Sequence, residues 1–264
     1  MSFELSVSEA KRLGFALQAH AITMSGDIAR PVLASILVEP CDAGFTITST
    51  DSYMCFHTEH FVGDTGNGSH FAEAFRLAPN PNRTKPAHVV RDLGKALATC
   101  GLPVRLTVDD GVGKDNGDRL HFLEAGAVRD YPEQGITVAL PVDVAPAKDF
   151  PNYWPLFRSV HKAPVPDPDT GKVPELNRGL VLGARLVMVL AKVQALAVKA
   201  AKTGNAGEAL LVMEPNGTGL GPVPFFFTVD SSEQGRERWN GIVMPVKYDF
   251  ASDREFLIPA VCRD

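Results

Sequence analysis

The feature that most constrains this chain is an order of hydrophobic patterns that recurs: a helix with an apolar stripe, followed by short runs of period two. A one-sided helix and a one-sided strand are unstable alone and must cover each other. A repeated helix–strand–strand–strand order therefore predicts helices on one face of antiparallel sheets, an α+β fold. The first copy opens at Ser6-Val7-Ser8-Glu9, a capping box in which each end residue satisfies an orphan amide of the other. Ala10, Leu13 and Leu17 supply its stripe. Beyond Gly26 and Pro31 the pattern turns extended: Ser35 to Glu39, a turn at Cys41 to Gly44, then Phe45 to Asp51, where Phe45, Ile47 and Ser49 alternate with threonines. A third strand is expected from Met54 to Phe61.

The second copy begins with a strand at Phe71 to Leu77. Pro86 suits the first turn of a helix over Ala87 to Cys100, with Val90, Leu93 and Leu97 buried and Gly101 closing it. Strands follow at Val104 to Val108, Leu120 to Leu123 and Ile136 to Leu140. The result is a β-α-β-β-β unit used twice, with a repeat of about 65–70 residues. Residues 141–174 are rich in proline and aspartate and read as a connector. A third copy is expected beyond it: a strand near Arg178 to Leu182, a helix from Ala184 to Lys202, and strands at Ala209 to Met213, Pro224 to Val229 and Gly241 to Val246. Residues 146–177 hold too little β pattern for a fourth copy. The expected organisation is a two-module domain over 1–145, a connector over 146–177, and a second, reduced domain over 178–264.

Charge separates two function classes. The chain carries 26 Lys+Arg against 31 Asp+Glu, a net charge of −5, which argues against indiscriminate nucleic-acid binding. The helices differ from the body. Between Gly183 and Gly204 there is no acid, and Arg185, Lys192 and Lys199 recur every seven residues, within about 40° around the helix axis. Lys202 flanks that stripe, and the other helices bring Lys11 with Arg12 and Arg91 with Lys95. Basic helix faces on an acidic body suit contact with phosphates without gripping bases. For any one helix, a solvated face is the plainer alternative.

Signals for chemistry are poor. Gly217-Thr218-Gly219-Leu220-Gly221 lies between two strands, so no helix N-terminus is there to hold a phosphate. His57 and His60 fall on opposite faces of one strand with no evident third ligand, which favours surface or half-buried histidines over a metal site. Asp109-Asp110 and Asp115 to Asp118 lack the spacing of a calcium loop and read as a hairpin turn. The expectation is no catalytic residue, no metal and no cofactor. The most apolar run, Leu180 to Ala201, is broken by three basic residues, short of the ~18–20 apolar residues a membrane span needs. Without a signal-peptide pattern or metal-type spacing among Cys41, Cys55, Cys100 and Cys262, the expected place is the cytoplasm, with reduced thiols.

Three segments carry a resemblance. Ala29-Arg30-Pro31-Val32-Leu33-Ala34-Ser35-Ile36-Leu37-Val38-Glu39, continuing to Phe45-Thr46-Ile47-Thr48-Ser49-Thr50-Asp51, resembles the bacterial DNA polymerase sliding clamp, the β subunit of the replicative polymerase. Asp149-Phe150-Pro151-Asn152-Tyr153 is similar to that family's interdomain connector, and Ile242-Val243-Met244-Pro245-Val246-Lys247 to its C-terminal Met-Pro end. The resemblance implies a non-enzymatic processivity factor with the clamp fold. Such proteins are closed rings of six two-module domains, with sheets outside and helices lining a pore around duplex DNA. It implies DNA-facing roles for Lys11, Arg12, Arg91, Lys95, Arg185, Lys192, Lys199 and Lys202. A pocket for short peptide motifs of a polymerase and clamp loader maps onto Thr50, Ser52, Tyr53, Pro151, Pro155, Leu156, Ile242, Val243, Met244, Pro245 and Val246. Met244 and Val246 can equally be read as core of the last strand. The family's histidine and basic residues after Thr-Asp are Tyr53 and Met54 here. Bacterial clamps carry three domains per chain, whereas two per chain would close the ring as a homotrimer, with a dimer or a monomer left open by the reduced second domain. A clamp-fold protein that binds replication proteins without forming a ring is the alternative function. A small-molecule enzyme of unrelated α+β fold is a third.

Overall fold

A computed structural model describes residues 2–41, 44–61, 74–78, 85–108, 120–127, 138–155, 157, 182–203, 211–213, 222–228 and 238–244. The first module is β1 (Ser2–Leu5), α1 (Val7–Thr23), β2 (Ile36–Cys41), β3 (Gly44–Thr50) and β4 (Met54–Phe61). The second is β5 (Phe75–Ala78), α2 (Pro86–Thr99), β6 (Val104–Val108), β7 (Leu120–Ala127) and β8 (Val138–Pro146). The third is α3 (Ala184–Thr203), β9 (Leu211–Met213), β10 (Val223–Thr228) and β11 (Arg238–Val243). The predicted capping box forms at α1: the Glu9 amide donates to Ser6 Oγ (3.3 Å) and the Ser6 amide to Glu9 Oε2 (2.7 Å).

The strands make one antiparallel sheet in the order β1-β6-β7-β8-β5-β2-β3-β4-β11-β10-β9. The first strand of each opening module pairs with the other module, and β5 pairs with β8 of its own as well. β1 pairs with β6 (Phe3 opposite Leu106), while β5 pairs with β2 (Arg76 opposite Leu37). Each module's sheet is therefore completed by the other. The third module joins at the opposite side, where β11 pairs with β4 (Ile242 opposite Cys55).

The helices lie on one face. One core cluster places Leu13 and Leu17 of α1 and Leu93 and Leu97 of α2 on Ile36, Val38, Ile47 and Leu77 of the sheet. A second places Leu190, Val193 and Ala197 of α3 on Phe56, Phe225 and Trp239, and includes Ala16 and Ala19 of α1, which packs against α3. The Phe56 and Phe225 rings are parallel with centroids 6.3 Å apart, and Trp239 meets Phe56 edge-on at 6.0 Å. Helices α1 and α2 touch backbone to backbone. A Cβ added to Gly14 would stand 2.4 Å from Ala98 N, and one on Gly94 would stand 2.6 Å from Gly14 O.

The α+β architecture is as read from the sequence, with differences of detail. Equivalent helix positions, Leu13 and Leu93, are 80 residues apart, a longer repeat than expected. β1 was not anticipated, because four residues offer too little alternation to distinguish a strand. The last strand starts at Arg238 rather than Gly241 and ends at Val243, which leaves Met244 beyond it. The strand expected near Arg178 to Leu182, apart from Leu182, which is not in a strand, and the loops at 109–118 and 217–221 fall outside the described residues.

Candidate functional site

The turn between β3 and β4 organises one candidate surface. Asp51 Oδ1 accepts from the amides of Tyr53 and Met54, each at 2.9 Å, and Thr50 Oγ1 donates to the Met54 carbonyl at 2.8 Å. This closure holds Ser52 at φ 81° and leaves Tyr53 59% exposed. Three other segments converge on the same turn. Arg30 reaches Ser52 Oγ (3.3 Å), the Met244 amide donates to the Tyr53 carbonyl (2.8 Å), and Arg185 at the start of α3 reaches Asp51 Oδ2 (3.3 Å).

Residues 147–155, with Phe157, cover the sheet face opposite the helices. Alternation along β4 sends Met54, Phe56, Thr58 and His60 toward the helix layer and Cys55 and His57 toward this segment. There Phe150 and Tyr153 pack on Leu37 and Cys55, and the Tyr153 hydroxyl donates to Glu39. Burial first, and the bond to Glu39 next, push the Tyr153 pKa upward, so the phenol stays protonated. Trp154, 44% exposed, meets His57 edge-on with centroids 5.7 Å apart. Arg76, buried on β5, anchors the segment's start through Asp149 (3.3 Å).

The residues that the resemblance assigned to a peptide pocket separate into groups. Ser52, Tyr53, Pro151, Pro155 and Met244 are exposed. Thr50 is buried and engaged in the turn, and Ile242 is buried on the Cys55 side of the sheet. Val243 is a correction: period-two alternation sends it into the helix-side core with Phe225 and Trp239, away from the connector. Leu156, Pro245 and Val246 lie outside the described residues. Sequence reasoning missed Trp154, although a tryptophan between the connector's Tyr153 and Pro155 was a usable signal.

The basic residues also divide. Lys192, Lys199 and Lys202 are exposed along α3 and have no carboxylate partner among the described residues. Arg185 is exposed beside them, although it bonds Asp51. On α2, Arg91 and Lys95 share Asp92 (3.4 and 3.8 Å), which offsets part of their charge. Lys11 is half-buried. Arg12 is a second correction: it is 4% exposed, on a flank of α1 that faces the protein, and its charge acts on His60 rather than on solvent.

His20, His57 and His60 are buried, whereas surface or half-buried positions were expected for His57 and His60. His20 bonds Ser49 Oγ (2.8 Å) and Thr58 Oγ1 (2.9 Å), and Thr58 Oγ1 also bonds His60 Nε2 (2.9 Å). On the other face His57 Nδ1 bonds Thr48 (2.9 Å). Burial holds His57 down to about 4; burial, then the charges of Arg12 and His57, hold His60 at about 3. Burial also puts His20 well below its usual value. Neutral imidazoles bonded to hydroxyls form a structural polar core. Among the described residues no three His, Cys, Asp or Glu side chains converge as a metal site, and no helix is long and apolar enough to cross a membrane.

No family model matches this sequence, and no curated protein matches it. Solved structures do. The chain is similar to a putative DNA polymerase III β subunit from Eubacterium rectale, with TM-score 0.52 and 8% identity over 97% of this chain and 68% of that one. A DNA polymerase III β chain from Streptococcus pneumoniae gives TM-score 0.50 and 9% identity over 98% and 68%. A DNA polymerase sliding clamp from Bacillus subtilis gives 0.49 and 11% over the same shares. At such identities the likeness is one of fold: the chain has a sliding-clamp-like α+β fold and spans about two thirds of the length of these proteins.

Proposed function

We propose that this chain is a non-enzymatic DNA polymerase processivity factor that encircles duplex DNA and tethers polymerase and other replication proteins. The observation that carries the reading is the exposed stripe Lys192, Lys199 and Lys202 on α3, free of carboxylate partners among the described residues, in a fold similar to DNA polymerase clamps. A helix layer with cations attracts the phosphate backbone regardless of sequence, which suits sliding. Lys11, Arg91, Lys95 and Arg185 contribute to the same face, and Arg12 does not.

The exposed Tyr53, Trp154 and Met244, around the Asp51 turn and the connector, form the surface for short apolar peptide motifs on a polymerase and a clamp loader. The partition into a two-module domain over 1–145, a connector and a shorter second domain belongs to this reading, as does a cytoplasmic location. Closing a six-domain ring takes three copies if each chain brings two domains, and four if each brings three modules. The second reading, a clamp-fold adaptor without a ring, is favoured by the same apolar surface if DNA association is absent.

The test is Arg185→Glu/Lys192→Glu/Lys199→Glu. DNA association at low salt should fall at least tenfold, and processive synthesis with it, while the melting temperature stays near that of the parent. Undiminished DNA association and processivity would remove the pore assignment.

A further inference from the structure

Trp154 sits on a stretch of chain whose backbone does little to hold it. Among the described residues no backbone hydrogen bond ties 151–155 to a strand, and Pro151 and Pro155 have no amide to give. Pro151, Asn152, Trp154 and Pro155 are all exposed. Tyr153 alone among these five residues is buried, at 4% exposure. Between Phe150 and Phe157, which pack with the Leu37 and Cys55 cluster, the stretch is therefore fixed by one side chain.

Three strands converge on that side chain. The phenol hydroxyl donates to Glu39 of β2, 114 residues away, and Thr48 of β3 stands beside the same oxygen. Thr48 Oγ1 in turn bonds His57 Nδ1 of β4 at 2.9 Å. The Tyr153 ring centroid is 6.0 Å from that of His57 and 5.0 Å from that of Trp154, and Trp154 meets His57 edge-on at 5.7 Å. Phe157, whose amide donates to the Tyr153 carbonyl (3.3 Å), completes the group at 5.8 Å from Tyr153 and 6.2 Å from Trp154. Apolar ring contact is non-directional, so it leaves Tyr153 free to slide or turn. A phenol donating to a carboxylate is directional and among the stronger side-chain hydrogen bonds, and it fixes the tip of the ring.

We propose that Glu39 is a positioning residue for the apolar partner surface: it holds the Tyr153 hydroxyl, and Tyr153 holds Trp154 against His57, so that the indole is in place before a peptide arrives. The proposal rests on the reading of Tyr53, Trp154 and Met244 as the surface for partner peptides. A side chain ordered in advance carries no ordering cost at the moment of binding, which is how a preorganised site gains affinity. Glu39 acts through Tyr153, and a peptide seated on Trp154 need not touch it.

Fluorescence anisotropy of a fluorescein-labelled peptide, carrying the clamp-binding motif of a bacterial replicative polymerase, reads the affinity of the full chain. Glu39→Ala and Tyr153→Phe should each weaken it by about three- to tenfold, and together by no more than either alone. Glu39→Gln, which keeps an acceptor for the phenol, should bind like the parent. In a Trp154→Ala chain, adding Glu39→Ala should cost nothing further, whereas a merely structural loss would weaken both backgrounds alike. Acrylamide quenching reads the indole without any peptide. The chain has two tryptophans and Trp239 is fully buried, so the accessible signal is that of Trp154. It should be quenched more readily in Glu39→Ala and Tyr153→Phe than in the parent or Glu39→Gln. Parent-like affinity in Glu39→Ala and Tyr153→Phe would overturn the proposal, as would unaltered quenching or a Glu39→Ala loss that persists without Trp154. These outcomes leave the partner surface standing. A parent chain that does not bind the peptide, or a Trp154→Ala chain that binds it as tightly as the parent, overturns the partner-surface reading and this proposal with it.

Discussion

Single residues set the acid response of this protein. His20, His57 and His60 are neutral in the folded chain, their pKa values lowered chiefly by burial, to about 4 for His57 and about 3 for His60. In the unfolded chain they titrate near 6.5, so below that pH the unfolded state takes up protons the folded state refuses. Stability is thus complete above about pH 6.5 and is lost as the pH falls toward the folded values, by up to about 1.4 kcal/mol per pH unit for each histidine. The urea midpoint should be clearly lower at pH 5.5 than at pH 7.5, and equal midpoints would contradict the buried network. The sequence showed that His57 and His60 face opposite ways but not that both are covered. Their coverage comes from α1 on one side and from Tyr153, Trp154 and Phe157 on the other, far away in the chain. The same distant segment brings Trp154 edge-on to His57. Trp154→Ala with Tyr53→Ala should weaken a fluorescent clamp-motif peptide by about tenfold or more, roughly 1.4 kcal/mol, with the fold intact. Unchanged peptide affinity would move the partner surface elsewhere.

At the scale of elements, the helices were legible because their stripes repeat: Ala10, Leu13 and Leu17 in α1 match Val90, Leu93 and Leu97 in α2. Their mid-helix glycines, Gly14 and Gly94, look like flaws in one dimension, since each should weaken its helix. In three dimensions they are the contact itself, where no Cβ fits. Propensity alone would have Gly14→Ala or Gly94→Ala stabilise the chain by about 1 kcal/mol. The close approach reverses the sign, because overpacking costs about 1–3 kcal/mol and backbone atoms on both sides leave no flexible group to yield. Thermal denaturation should show a lower melting temperature for either variant, and a higher one would disprove the close contact. The strands were less legible at their ends. β11 starts at Arg238, three residues before the expected Gly241, because Arg238 pairs with Thr228 of β10 and Trp239 and Asn240 pair with Thr58 and His57 of β4.

For the whole molecule, a topological tether makes a prediction that an ordinary DNA-binding protein does not share. Once loaded, the chain should stay on a closed circular plasmid in moderate salt and be lost within the time of linearisation. Equal retention on circular and linear DNA would leave an adhesive protein rather than a ring. The sequence by itself determined the unit: the capping box, the matched helix stripes, the alternating strands and the absence of acid along α3 are all local patterns, set by neighbours a few residues apart. It also carried the order of the modules. Only the tertiary structure decided that β1 and β5 each pair with a strand of the other opening module and that Arg12 and Val243 turn inward. Those outcomes depend on pairings between residues tens to hundreds of positions apart. Hydrophobic periodicity says which side of an element must be buried, and says nothing of which distant surface will bury it.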